Sequence, residues 1–383
     1  MKKSLIASAI LLASAATGAN AAWTSPDGAL TIGGDIEINT DAVDVSNGSQ
    51  RPETKTIDEG VGIGDDSRFK LDVEWNTKLE NGEYIKAKAQ PLIRTDGTMA
   101  IDDSFVALGV QDSWEFQIGR FEAMELFSVG KDTAFFVAAG GDVIGQGVYY
   151  YKGHEARGRR DGMGQARVAT QAGNWTMELS SAYGDAADML AGSEDYLKEH
   201  GFNTDTTFKS DDSSFVVRPA VNYTSDSGFF SLSFGAEYDA SNGDVKITST
   251  NESTGAVMTS QDLSKRMGAS VKSEFKFSED LAVRLSAAHQ TIKDVWTVSH
   301  VNANFEYKRF GMGLSVVGNE LDQTGTEDIS SYTAYAAYTM PIMSFDNATV
   351  TFAASYSETD NAFGIKDNNE EVAAVRARIN YYF

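Results

Sequence analysis

From Val372 to Phe383 the chain alternates with a period of two up to its last residue. Ala373, Val375, Ala377, Ile379, Tyr381 and Phe383 fall on one face of an extended strand; Ala374, Arg376, Arg378, Asn380 and Tyr382 fall on the other. An apolar face backed by arginines suits a wall with lipid outside and water inside. Arg68 to Leu79 repeats the pattern, setting Phe69, Leu71, Val73, Trp75 and Leu79 against Arg68, Lys70, Asp72, Glu74, Asn76 and Lys78. Asn81-Gly82 then offers the positive φ of a hairpin turn. The next run places Ile85, Ala87, Ala89 and Ile93 opposite Lys86, Lys88 and Gln90, with Pro91 costing one ladder bond.

The same reading predicts sixteen strands, at 30–39, 68–79, 83–93, 103–110, 114–121, 164–171, 175–183, 214–224, 229–238, 266–277, 281–290, 298–307, 310–317, 331–340, 348–357 and 372–383. Most are near the roughly 9–11 residues that cross a bilayer at a tilt. Connections after even-numbered strands are short, apart from a longer one at 341–347. Those after odd-numbered strands are mostly long, notably 40–67, 122–163, 184–213, 239–265 and 358–371. A soluble β-protein has no reason to sort loop length by parity, whereas a membrane barrel has tight periplasmic turns and long external loops. Outward aromatics such as Trp75, Trp114, Trp175, Phe305, Tyr338, Tyr381 and Phe383 gather at strand ends, where interfacial girdles belong. The expected fold is all-β: a 16-stranded antiparallel transmembrane β-barrel with an inserted constriction loop, forming a single domain over 22–383.

Composition narrows the remaining choices. Met1-Lys2-Lys3, an apolar run from Leu5 to Ala16 and Ala19-Asn20-Ala21 read as a secretory signal peptide over 1–21. No later apolar run approaches a membrane-spanning helix, and mean hydropathy is −0.29. Cysteine is absent, so a backbone network closed on itself must supply stability. The net charge of −23 becomes −25 when Lys2 and Lys3 leave 30 bases against 55 acids, and so acidic a chain is a poor nucleic-acid binder. Four scattered histidines (His154, His200, His289, His300) have no partners at metal-ligand spacing, so no metal and no cofactor is expected. His289 and His300, with Ser286, Ser299 and Asp294 near in sequence, form a proximity common by chance; an enzyme is not expected. Acidic pairs such as Asp65-Asp66 and Glu370-Glu371 read as solvated loop charge rather than as cation bridges to lipopolysaccharide.

A sixteen-stranded barrel is too wide for side chains to fill and leaves an aqueous channel. Its inward register is polar, with Arg68, Lys70, Lys86, Lys88, Arg167, Arg376 and Arg378 gathered on one sector of the wall. The stretch after the fifth strand, Glu122 to Phe136, carries Met124, Leu126, Phe127, Phe135 and Phe136 and is too apolar for an external loop. Folded into the channel it buries those groups and turns Glu122, Glu125, Asp132 and Asp142 towards the bases, setting a transverse field across a constriction.

Ile118-Gly119-Arg120-Phe121, the loop with Gly140-Gly141-Asp142, and Arg157 to Arg160 together resemble the sixteen-stranded trimeric porins of Gram-negative outer membranes. Gly119 to Phe127 with Ala156 to Arg159 is similar to their carbohydrate-admitting, raffinose-porin-like branch. The resemblance implies a passive pore for small hydrophilic solutes in the outer membrane, an eyelet built by the third external loop, and a homotrimer surrounded by lipid and lipopolysaccharide. It implies that the acids Glu122, Glu125, Asp132 and Asp142 oppose the wall bases there. The chain departs from general porins in carrying Phe135-Phe136 and Tyr149 to Tyr151 in or just after that loop. Sugars present apolar C–H faces, so Phe135, Tyr149, Tyr150, Tyr151 and Trp296 are candidate sugar contacts, with loop anchoring an equal reading of Phe135. A cation-preferring general porin, told apart by the absence of oligosaccharide block, and an adhesin or phage-receptor barrel, told apart by a sealed lumen, remain as alternatives.

Overall fold

The computed structural model describes residues 22–47, 60–64, 67–124, 163–185, 207–209, 213–240, 246–260, 266–294 and 296–383. The wall comprises β1 (Leu30–Asn47), β2 (Arg68–Lys78), β3 (Glu83–Arg94), β4 (Met99–Val110), β5 (Trp114–Arg120), β6 (Met163–Ala172), β7 (Trp175–Asp185) and β8 (Ser213–Thr224). It continues through β9 (Phe230–Asp239), β10 (Arg266–Ser278), β11 (Leu281–Ile292), β12 (Trp296–Tyr307), β13 (Phe310–Leu321), β14 (Ile329–Ile342), β15 (Phe345–Asp360) and β16 (Glu370–Tyr382). Each strand pairs antiparallel with the next, and β16 returns to β1 from Tyr382 opposite Asp35 to Glu370 opposite Asn47. The sixteen strands therefore close, and no wall edge is left to pair with another chain.

The last residue completes the seam. The Phe383 N–H donates to the Gly34 carbonyl at 3.0 Å, and the Gly34 N–H donates back to the Phe383 carbonyl at 2.8 Å. The Phe383 ring stacks on Phe69 of β2, with centroids 5.6 Å apart. The terminal alternation thus ends in a ring that covers the join between first and last strands.

Side-chain partition is inverted relative to a water-soluble fold. Outward Trp75, Leu179, Val301 and Phe352 are each about half exposed (51%, 55%, 59% and 53%), while inward Asn39, Glu115, Arg218 and Thr333 are buried. Apolar groups can face outward in this way at low cost only where the surroundings are hydrocarbon. Among the described residues no helix is long and apolar enough to cross a membrane.

Several boundaries differ from expectation, each for a local reason. β1 runs to Asn47 rather than ending near residue 39, because Gly60–Ile63 folds back along its upper half beyond β2. The longer connection expected at 341–347 is mostly strand: β14 extends to Ile342, β15 begins at Phe345, and Met343 takes a φ of +55° in the turn between them. Pro91 sits at a register shift between Ala89 and Pro91, which spares the ladder a missing donor. The turn from β3 to β4 is tied by Asp96, whose carboxylate accepts from the Thr98 N–H (2.8 Å) and hydroxyl (2.7 Å). Those two bonds hold the Asp96 carboxyl below its ordinary value.

Outside the wall, Lys246–Thr250, Val257–Ser260 and Thr207–Lys209 form a three-stranded sheet built from two external connections. Asn251, fully buried at the hairpin end, donates from Nδ2 to the Phe363 carbonyl at 3.0 Å. Phe363 lies in the short turn Ala362–Gly364 between β15 and β16, packed with Ala362 and Ile365. Alternation cannot announce such contacts, since they join loops far apart in sequence.

Candidate functional site

The inward bases named from sequence all lie on the inner face, on β2, β3, β6 and β16. Each stands against a wall carboxylate from a nearby strand. Arg376 makes a two-point pair with Asp41 (2.7 and 3.0 Å), and Arg378 reaches Glu37 at 3.2 Å and the Asn39 side-chain oxygen at 2.7 Å. Arg68 lies 3.6 Å from both Asp35 and Glu37; Lys70 lies 3.3 Å from Asp35 and 3.8 Å from Asp102. Lys86 lies 4.0 Å from Glu115 and Lys88 3.8 Å from Asp103. Arg167 bridges Glu115 at 2.6 Å and Glu178 at 2.9 Å. A further inward group, Arg284 between Glu274 (2.6 Å) and Glu306 (2.8 Å), follows the same rule on β10 to β12.

This differs from a wall of bases facing only the acids of a loop. Alternation places a base inward, but cross-strand register decides what stands beside it, and register brings acids of β1, β4, β5 and β7 to these positions. Among the described residues inward charge is accordingly close to balanced, and much of their acid surplus lies on exposed turns and rims, for example at Asp44, Glu80, Asp226, Glu279, Asp280, Glu320 and Asp360.

Where β5 ends, the chain turns inward. Gly119 has a φ of +135°, and a Cβ there would lie 2.4 Å from the Ser104 carbonyl oxygen and 2.7 Å from the Phe105 Cα. A side chain cannot be accommodated at that approach. Phe121, two residues on, is buried, with the Arg167 guanidinium 5.4 Å from its ring centroid and the Phe105 ring edge-on at 6.4 Å. The Gln165 side chain of β6 donates to the Phe121 carbonyl at 2.5 Å, and the Met124 N–H donates to Glu178 Oε1 of β7 at 2.8 Å. Inward side chains of β6 and β7 thus hold the root of the loop, residues 121–124, against the inner wall.

Of the acids expected in that loop, Glu122 lies in this root and is partly buried. Glu125, Asp132 and Asp142, and the aromatics Phe135, Tyr149, Tyr150 and Tyr151, lie outside the described residues. Trp296 opens β12 on the inner face, but it is only 3% exposed and donates from Nε1 to the Gln290 side-chain oxygen at 3.4 Å. Trp296, named as a candidate sugar contact, is thus a covered ring in this structure. His289 points outward beside Ser299 (2.9 Å), whereas His300 points inward beside Ser315 (2.6 Å), so the two histidines share no centre. Among the described residues no group of carboxylates and histidines is arranged to hold a metal.

Sequence reasoning did not single out Tyr84, Phe105, Glu115 or Gln165. Tyr84 donates to Glu115 at 2.7 Å, and the Lys86 ammonium lies 5.3 Å from the Phe105 centroid. Alternation over 114–121 and 164–171 puts Glu115 and Gln165 inward. Their partners lie one or two strands away, Tyr84 on β3 and Arg167 on β6 for Glu115 and the Phe121 carbonyl after β5 for Gln165, and the cross-strand offsets that bring these groups together have no direct signal in the sequence.

A closed antiparallel cylinder with an apolar outside, a charge-lined inside and a segment led inward from one strand defines a transmembrane β-barrel channel. The chain belongs to the porin family described as porin-like glycoporin RafY, whose model matches residues 32–383. It is an outer-membrane porin, a passive channel for solutes. Among solved structures it is similar in fold to mutant forms of the porin of Rhodopseudomonas blastica. One has a TM-score of 0.52 at 14% identity and another 0.51 at 15%, each alignment covering 92% of this chain and 100% of the other. A comparison with curated proteins finds no match.

Proposed function

We propose that this porin admits small hydrophilic solutes by passive diffusion with a preference for saccharides. The observation that carries this reading is the inner wall between β16 and β7. There charged donors and acceptors alternate in pairs, offering hydrogen bonds to many hydroxyls at once without strong net attraction for either ion sign. The family description, which names a glycoporin, supports it. In this proposal Glu122, Glu125, Asp132 and Asp142 bring acid to the constriction, while Arg68, Lys70, Lys86, Lys88, Arg167, Arg376 and Arg378, partnered by wall acids, form the opposite side. Phe135, Tyr149, Tyr150 and Tyr151 supply apolar contacts for sugar rings. Residues 1–21 are removed on export, leaving a mature chain from Ala22. The barrel assembles as a homotrimer in contact with lipid and lipopolysaccharide, and it performs no catalysis.

Planar-bilayer recording of the purified protein with a panel of mono- and oligosaccharides tests the preference. Reversible block of single-channel current by oligosaccharides at sub-millimolar concentration is expected. Open-channel current indifferent to every sugar in the panel leaves a general diffusion porin instead.

A further inference from the structure

The three-stranded sheet outside the wall joins two sides of the external rim. Thr207–Lys209 belongs to the connection from β7 to β8, and the hairpin of Lys246–Thr250 and Val257–Ser260 to the connection from β9 to β10. The hairpin tip closes through the Asn251 N–H to the Ala256 carbonyl at 2.7 Å and the Gly255 N–H to the Asn251 carbonyl at 2.8 Å. Asn251 Oδ1 accepts from the Ser253 and Thr254 N–H groups at 3.1 and 2.9 Å, while Nδ2 reaches the Phe363 carbonyl between β15 and β16. On the same tip Ala256 is buried, and a Cβ on Gly325, between β13 and β14, would lie 3.7 Å from the Ala256 Cβ. The two receiving loops are themselves tied, the Glu327 N–H donating to the Gly364 carbonyl at 2.9 Å.

The receiving loops lie on the lumen side of the rim. Leu321, at the external end of β13, shares the inward register of Ser315 and Asn319, and a Cβ on Gly364 would lie 3.0 Å from its Cδ1. Ile292, Trp296, Val298 and Ile329 also face inward at the external ends of β11, β12 and β14, and all are buried. Apolar side chains on the water side of a channel are favourable only under a cover. A hairpin that leaves the wall at β9 and β10, and whose tip meets lumen-side loops above β13 to β16, crosses the mouth rather than following its edge.

We infer that the hairpin over residues 246–260 is a fixed shelf across the external mouth and acts as an outer size filter for solutes entering the channel. Its charged residues are Lys246 and Glu252, which cancel, and the rest is largely Ser, Thr and Asn. The shelf therefore sorts solutes by bulk rather than by sign. The inference goes beyond the saccharide preference and is independent of it, resting on the passive channel alone.

The test is polyethylene glycol exclusion, read as the fall in single-channel conductance when polymers of graded mass are added to one side of a bilayer. It compares wild type, Asn251→Asp and the triple variant Asn251→Asp/Ala256→Cys/Gly325→Cys, each first checked for heat-shifted gel mobility. Aspartate keeps an oxygen for the Ser253 and Thr254 N–H groups but has no N–H for the Phe363 carbonyl, and it sets a charge against that oxygen. The tip should undock with its own turn intact. Polymers that leave wild-type conductance unchanged from the external side should then lower it in Asn251→Asp, while the cut-off from the periplasmic side stays as in wild type. The chain has no cysteine of its own, and a Cβ separation of 3.7 Å suits a disulfide. The oxidised triple variant should accordingly exclude like wild type and behave like Asn251→Asp once reduced. An external cut-off equal in wild type and Asn251→Asp overturns the filter. Equal shifts from both sides overturn it by placing the change in the lumen, and so does a triple variant whose cysteines do not join under oxidant.

Discussion

Replacing Phe121 by alanine tests whether the root of the loop after β5 is clamped from the wall. The ring is 2% exposed, so its removal forfeits about 2–3 kcal/mol of apolar burial. The Arg167 guanidinium 5.4 Å from its centroid adds about 0.5–2 kcal/mol, and the edge-on Phe105 contact about 0.5–1.5 kcal/mol. Two bonds survive the change because they use backbone atoms of the loop, Gln165 to the Phe121 carbonyl and the Met124 N–H to Glu178. A neutral bond contributes about 1 kcal/mol net and a charge-assisted one about 1.5–3 kcal/mol. The ring contacts and the surviving bonds are thus comparable, so Phe121→Ala should loosen the root without leaving it untethered. Single-channel recording should then show frequent transitions to a higher-conductance level, with the barrel still giving its normal heat-shifted gel mobility. Conductance and current noise equal to wild type would refute the clamp.

Gly119→Ala should be worse tolerated than its size suggests. The added carbon meets the Ser104 carbonyl oxygen and Phe105 Cα at a φ of +135°, so refolding yield judged by heat-modifiable mobility should fall severalfold; a yield equal to wild type would show that the backbone there relaxes freely. Ion selectivity should depend on salt. Among the described residues the inner wall is nearly balanced and much of the acid surplus sits on exposed turns and rims, so cation preference in reversal potentials should be evident near 0.1 M salt. It should fade towards 1 M as the screening length falls from about 10 Å to about 3 Å. Selectivity independent of salt would place the determining charge inside the wall.

Much of this protein was legible in its alternation. The inward set Arg376, Arg378, Asn380 and Tyr382 against the outward set Val375, Ala377, Ile379 and Tyr381 follows from period two alone, because a strand has only two faces. Long loops after most odd strands and tight turns after even ones fixed the topology for a similar reason, since a chain crossing a membrane must return each time to the same side. Closure of β16 on β1 was likewise expected from an even strand count and an alternating terminus.

Partnership was decided elsewhere. Period two cannot tell that Arg376 meets Asp41, or that Arg167 lies between Glu115 and Glu178, because those contacts depend on stagger accumulated around the barrel. Trp296 shows the same limit: its position on the inner face was readable, but its burial depends on neighbours across the sheet. The order of residues along the chain determined which side of the wall each group faces, a local matter of backbone geometry. Which charges neutralise one another and where the loop root is held emerged only when sixteen strands met in register, because those distances are set between segments rather than within them.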